Sequence, residues 1–142
     1  MRKKEEIKKL YDLWLQKTSE KEREILNKMS SEEIEDSFYK DLEFGTGGMR
    51  GKMGYGTNRM NVHTITRATA GFGKWIKENY DDPSVSIAFD TRNNSFDFAV
   101  TCAKVLSALD IKVFLFSEPT ATPILSYAVR NLKCAGGIII TA

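Results

Sequence analysis

The chain predicts an α/β fold: a mixed, mainly parallel sheet flanked by helices, preceded by a helical N-terminal arm. Three observations carry this. From Val85 onward, short apolar runs alternate with helical periods, as a parallel sheet with right-handed crossovers requires. Residues 1–42 keep helical spacing and contain no strand pattern. Between these parts, six glycines fall from Gly45 to Gly56, a density no helix tolerates well. The organisation read from this is a helical extension over 1–42 and an α/β domain over 43–142.

Composition sets the bounds. At 142 residues, 42% hydrophobic and 28% charged, the chain is one soluble domain's worth with one real core. Its 21 basic and 19 acidic residues leave a formal charge of +2, which gives no case for nucleic acid or an acidic membrane surface. Arg2-Lys3-Lys4 is followed at once by Glu5 and Glu6 and reads as a solvated helix start. No apolar run approaches the ~20 residues of a membrane span, and charges interrupt Ile7, Leu10, Leu13 and Leu15, so no signal-peptide core follows Met1. The expected location is the cytoplasm. Cys102 and Cys134 lie far apart in apolar segments and read as small buried hydrophobes.

The elements follow in order. Ile7, Leu10, Tyr11, Trp14 and Leu15 share one helix face. Ser19 with Glu22 and Ser30 with Glu33 are capping-box pairs, each opening a further helix. The arm should lay its aromatic face on the body of the protein. Gly45 to Gly56 should be an extended segment and loop. Asn61 caps the next helix, with Ile65, Ala68, Phe72, Trp75 and Ile76 on its inner face, and Pro83 ends that section. Val85–Phe89 is a strand. Asp90–Ser95 is a polar loop. The following helix turns Ala99, Cys102, Ala103, Leu106 and Leu109 inward. Ile111–Phe116 is apolar on both faces, as a central parallel strand should be. Thr122 caps a helix whose first turn holds Pro123 and whose buried stripe is Leu125, Ala128, Val129 and Leu132. Ile138–Ile140 is the third strand. Chemistry on such sheets gathers at the carboxyl ends of strands. Asp90-Thr91-Arg92, Glu118–Thr122 and whatever follows Ala142 belong there, and the Gly45 loop is expected near that edge.

The segment Phe44-Gly45-Thr46-Gly47-Gly48-Met49-Arg50-Gly51 suits a phosphate dianion. Glycines let backbone N–H groups converge on one point, Thr46 adds a hydroxyl, and Arg50 adds a planar charged fork. The same residues also suit a plain glycine-rich turn whose arginine pairs with a surface carboxylate. A P-loop is excluded, because five residues separate Gly45 from Gly51 and Met53 follows Lys52. The dinucleotide fingerprint fails as well, because Arg50 stands where its third glycine should. Asp90 and Arg92 read as a loop pair, structural more often than ligand-binding. His63, the single histidine, reads as an exposed or capping residue. Met49, Met53 and Met60 read as packing.

In this order, the pieces resemble the α-D-phosphohexomutase family. Phe44–Gly51 is similar to its Phe-Gly-Thr-x-Gly-x-Arg-Gly signature, and Asp90-Thr91-Arg92 resembles its Asp-x-Arg loop. Thr122-Pro123 with Ala128-Val129-Arg130 looks like its Thr-Pro helix. Gly136–Ala142 looks like the strand that leads into Thr-Ala-Ser-His-Asn-Pro. The arm and Gly54–Asn61 resemble the branch with extended N-termini, which contains phosphoglucomutases and phosphopentomutases.

The resemblance implies a four-domain enzyme of which 43–142 is the first domain. It implies a serine just after Ala142 that passes a phosphoryl group to a hexose or pentose phosphate and takes one back through a sugar bisphosphate. Mg2+ would be held by that phosphoserine and by aspartates of the second domain, outside this chain. Arg50 would be the catalytic residue here. Thr46, Gly47, Gly48 and Arg50 would bind substrate, and Asp90, Arg92, Thr141 and Ala142 would form the active-site edge. The remaining domains would be its partners, and the 142-residue piece alone should be inactive. The alternatives are a noncatalytic phosphate- or phosphosugar-binding module and a structural partner that completes another chain.

Overall fold

Three capped helices open the computed structural model, which describes residues 1–141: α1 (Lys4–Lys17), α2 (Glu20–Leu26) and α3 (Ser31–Phe38). Ser19 and Ser30 accept from the N–H groups of Glu22 and Glu33, whose carboxylates accept from the serine N–H groups in return. Both capping boxes are therefore present as expected. The glycine segment gives β1 (Phe44–Gly45) and β2 (Gly48–Met49), then a loop to α4 (Val62–Asn79). The chain continues through β3 (Ser84–Phe89), α5 (Ser95–Ala108), β4 (Lys112–Leu115), α6 (Thr122–Asn131) and β5 (Gly136–Ile140). Ala142, expected at the active-site edge, lies outside the described residues.

By contact the chain forms two units, Met1–Thr64 and a second that begins at Ile65. The first has its own core of Ile7, Leu26 and Phe38, wrapped by Leu10, Tyr11, Trp14, Leu15 and Tyr55. Tyr11 and Trp14 meet the Phe38 ring edge-on at 5.8 and 5.4 Å. The aromatic face of α1 thus closes on α2, α3 and Tyr55. Arg2 is not simply solvated. It is half-buried, and its guanidinium donates to Phe38 O, Thr57 Oγ1 and Asp41 Oδ1 at 3.0, 3.1 and 2.6 Å.

The second unit holds a three-stranded parallel sheet in the order β4-β3-β5. Residues Val85–Phe89 of β3 are all buried, so β3 is the central strand. This corrects the expectation that Ile111–Phe116 is central. Its strand part, β4, lies at the edge and leaves Lys112 and Leu115 exposed. Gly136 and Gly137 of β5 let helices close on opposite faces. A Cβ would stand 3.0 Å from the Phe72 ring at Gly136, and 2.7 Å from Val129 Cγ2 at Gly137.

Three finer expectations change. The buried stripe of α4 is Ile65, Thr69, Gly73 and Ile76; Trp75, about 100° round from Ile76, is 52% exposed and leans on Tyr80. Leu132 is the residue just after the last turn of α6 and is exposed, outside the buried stripe. Ala121 is the extended residue before α6 and takes the cap position, so Thr122 is already helical and caps nothing. Cys102 is buried as expected and accepts from Thr69 Oγ1 at 3.2 Å, whereas Cys134 is only half-buried.

Candidate functional site

The glycine segment folds as a tight antiparallel hairpin, Phe44 opposite Met49 and Gly45 opposite Gly48, with Thr46-Gly47 as its turn. Gly48 has φ +101°, a conformation that a side chain would strain. Arg50 leaves the hairpin exposed to solvent and folds back over the turn, so that a Cβ on Gly47 would stand 3.6 Å from its Nη2. Thr46, Gly47, Gly48 and Arg50, separately singled out in the sequence, are thus brought together on one small hairpin.

Below it lies an open cleft of about 770 Å3, lined by Gly45, Gly47, Gly48, Arg50 and Lys52, with Lys40 and Glu43 before them, Asp36 and Tyr39 at the end of the arm, and Arg59. Asp36, Lys40 and Lys52 belong to no motif, Arg59 lies inside the Gly54–Asn61 segment, and the sequence reading assigns none of the four to the site. Arg59 donates to Asp36 Oδ2 and also to the Asp36 and Asn58 carbonyls at 3.2 and 3.1 Å. Lys52 Nζ stands 3.8 Å from the same Asp36 oxygen, and Lys40 Nζ stands 3.5 Å from Glu43. The hydrogen bond and charge of Arg59, then Lys52, hold the Asp36 carboxyl below the ordinary range for aspartate.

Asn61 fixes the loop behind the hairpin. Its Oδ1 accepts from the N–H groups of His63 and Thr64 at 3.0 Å each, which is the expected cap of α4. Its Nδ2 donates to the carbonyls of Gly54, Gly56 and Arg59 at 2.9, 2.9 and 3.3 Å. One buried amide therefore starts a helix and ties both glycine turns. His63, half-exposed, reaches Glu22 at 2.9 Å and meets Trp14 edge-on. Met53 is exposed, whereas Met49 and Met60 are partly buried.

In the second unit, Asp90, Arg92, Thr120 and Thr141 gather at the carboxyl ends of the strands. Asp90 N–H donates to Ile140 O at 3.0 Å and Thr120 N–H to Phe89 O at 2.8 Å. Asp90 Oδ1 accepts from Arg92 N–H at 3.0 Å and Ser95 Oγ at 2.6 Å, and Arg92 Nε stands 3.7 Å from Oδ2. The Asp90–Arg92 pair therefore folds its own loop. Among the described residues, no three His, Cys, Asp or Glu side chains are grouped to hold a metal ion. No described helix is long and apolar enough to cross a membrane.

Comparison with known proteins gives a consistent answer. Residues 41–142 match the family model described as phosphoglucomutase/phosphomannomutase, alpha/beta/alpha domain I. A phosphoglucomutase of Staphylococcus epidermidis is 40% identical over 120 residues, covering 84% of this chain and 22% of that protein. One of Staphylococcus haemolyticus is 42% identical over 108 residues, 76% of this chain and 20% of the relative. One of Staphylococcus aureus is 37% identical over 132 residues, 92% of this chain and 24% of the relative. The chain thus spans less than a quarter of the length of these relatives. No solved structure matches it.

Proposed function

Because the chain belongs to the phosphoglucomutase/phosphomannomutase family and carries its domain I, we propose that it serves as the first domain of a phosphosugar mutase. The reaction moves a phosphoryl group between hydroxyls of a sugar phosphate by way of a phosphoserine and a sugar bisphosphate. The relatives named phosphoglucomutase favour a glucose phosphate as substrate. The cytoplasm is the proposed location. Magnesium, if the complete enzyme uses it, takes its ligands from outside these residues.

The observation that carries this reading is Arg50 at the foot of the glycine hairpin, lining the cleft with its fork beside Gly47. A guanidinium there can meet two phosphate oxygens at once and keep its charge throughout the reaction. Thr46 adds a hydroxyl donor, and Gly47 and Gly48 let phosphate approach the backbone closely. On the family resemblance alone, Asp90, Arg92, Thr141 and Ala142 are assigned to the active-site edge of the complete enzyme. The remaining domains of the enzyme and the sugar phosphate are the partners this reading assigns.

A coupled assay tests it. The complete polypeptide should convert glucose 1-phosphate to glucose 6-phosphate when given magnesium and the bisphosphate activator. The 142-residue chain should not, because phosphoryl transfer depends on positioned groups that lie beyond it. Normal turnover by the isolated chain, or none by the complete one, would overturn the proposal.

A further inference from the structure

The cleft under the hairpin holds more positive charge than Arg50 alone. Its lining carries four cations, Lys40, Arg50, Lys52 and Arg59, against two carboxylates, Asp36 and Glu43, so the difference is +2. A phosphate monoester carries about −1.5 to −2 near neutral pH, which matches that excess.

The four cations are not equivalent. The Arg59 side chain is only 11% exposed, and its fork is committed to the Asp36 carboxylate and two carbonyls. Lys40 is paired with Glu43. Lys52 is 80% exposed and shares, at 3.8 Å, an Asp36 oxygen that Arg59 already occupies. A long, solvent-screened contact of that kind is readily exchanged for a better anion.

We propose that Lys52 is a second phosphate-binding group beside Arg50, and that Asp36 is its resting counter-ion, which yields Lys52 to the phosphate. This rests on the reading of Arg50 as a phosphate ligand. Arg50 supplies the planar fork, and Lys52 supplies a mobile point charge that can follow a phosphate as it changes position. Asp36 serves Lys52 and Arg59 together, so the arm that carries α3 sets the charge available at the hairpin.

Anion titration of the full 142-residue chain tests this. Amide chemical shifts would be followed against inorganic phosphate and, in a second arm, glucose 1-phosphate. Lys52→Gln should weaken both by roughly three- to fivefold, and Lys52→Arg should restore them. Asp36→Asn keeps an oxygen for Arg59 but removes a competing charge, so it should tighten binding by about twofold. A purely structural Asp36 would leave affinity unchanged or weaken it. Lys52 is largely exposed, so its substitution leaves the fold intact, and Lys52→Gln stays decisive even if Asp36→Asn loosens α3. Arg50→Gln separates the two readings. Loss of binding in Arg50→Gln with none in Lys52→Gln overturns the role of Lys52 and leaves Arg50 standing. The reverse pattern keeps the Lys52 site and removes the Arg50 reading. A twofold preference for glucose 1-phosphate over inorganic phosphate would assign the ligand to the sugar ester, and equal affinities would assign it to phosphate itself.

Discussion

In the first unit, distant segments are joined by polar side chains. Arg2 reaches Asp41 and Thr57, Asp36 holds Arg59, and Asn61 ties three carbonyls and caps a helix. In the second unit the joints are apolar. Val85, Ile87, Ala88 and Phe89 of the central strand are buried among helices whose inner residues include Ala99, Cys102, Leu106 and Leu125. Hydrophobic burial is roughly proportional to area and tolerates approximate geometry. A buried hydrogen-bond network depends on each partner and exacts its cost when one is removed. The unit that bears the glycine hairpin is thus the one whose shape depends on individual polar atoms, which is where a phosphate site needs well-placed donors.

Substitution should separate the two regions. The largest effect belongs to the sheet. Ile87 is fully buried in the central strand, so Ile87→Ala should cost about 4 kcal/mol through lost burial and an unfilled cavity. Chemical denaturation followed by Trp75 reads it, with Trp14 replaced by Phe; these are the chain's two tryptophans, one in each unit. A cost below about 1 kcal/mol would mean that the sheet is not the apolar body described.

Next comes Asn61. Asn61→Ala removes a cap and strands carbonyls of both glycine turns, and should cost about 2 kcal/mol. Asn61→Asp keeps the cap oxygen but loses the donors, and so should still be destabilising. Trp14, with Trp75 replaced by Phe, is the reporter. If Asn61→Asp equals the native chain, capping alone matters and the tie across the loop does not.

The smallest effect is the response to acid. Asp36 is held below the ordinary carboxyl range by Arg59. Burial works against ionisation of Glu22, but hydrogen bonds from Ser19 and then His63 outweigh it and lower that carboxyl too. A depressed folded pKa gives stability that is complete above the unfolded value of about 4 and is lost as pH falls through the folded one. Between about pH 5 and about pH 3, the Trp14-reported urea midpoint should therefore drop, and it should drop by less in Asp36→Asn. An equal drop in Asp36→Asn would show that this pair carries none of the acid response.

The same contrast explains how much of the molecule is legible in its sequence. Alternating periods mark the three strands of the second unit, because period and burial are local consequences of sequence. The order of the strands is not local. Ile111–Phe116 has the apolar pattern of a central strand, yet its edge position exposes Lys112 and Leu115. In the first unit the capping boxes of Ser19 and Ser30 and the cap at Asn61 are legible, because each spans two or three residues. The ties of Arg2 to Asp41 and Asp36 to Arg59 are not. They join residues 39 and 23 positions apart, a separation that no local pattern reports. For the same reason Arg50 is visible inside its glycine signature, whereas Lys52, Lys40 and Arg59 emerge only when the cleft is formed.

The central claim is that Arg50 meets phosphate rather than bracing the hairpin. Steady-state kcat/KM, measured beside the unfolding midpoint, tests it in the complete enzyme carrying Arg50→Lys or Arg50→Ala. Arg50→Lys keeps the charge and loses the fork, so it should already be harmful. Arg50→Ala should lose about 2–4 kcal/mol of transition-state stabilisation, roughly 30- to 1,000-fold in kcat/KM, at a near-native midpoint. A near-normal rate, or a rate loss fully explained by a lower midpoint, would contradict the claim and return Arg50 to the role of a brace.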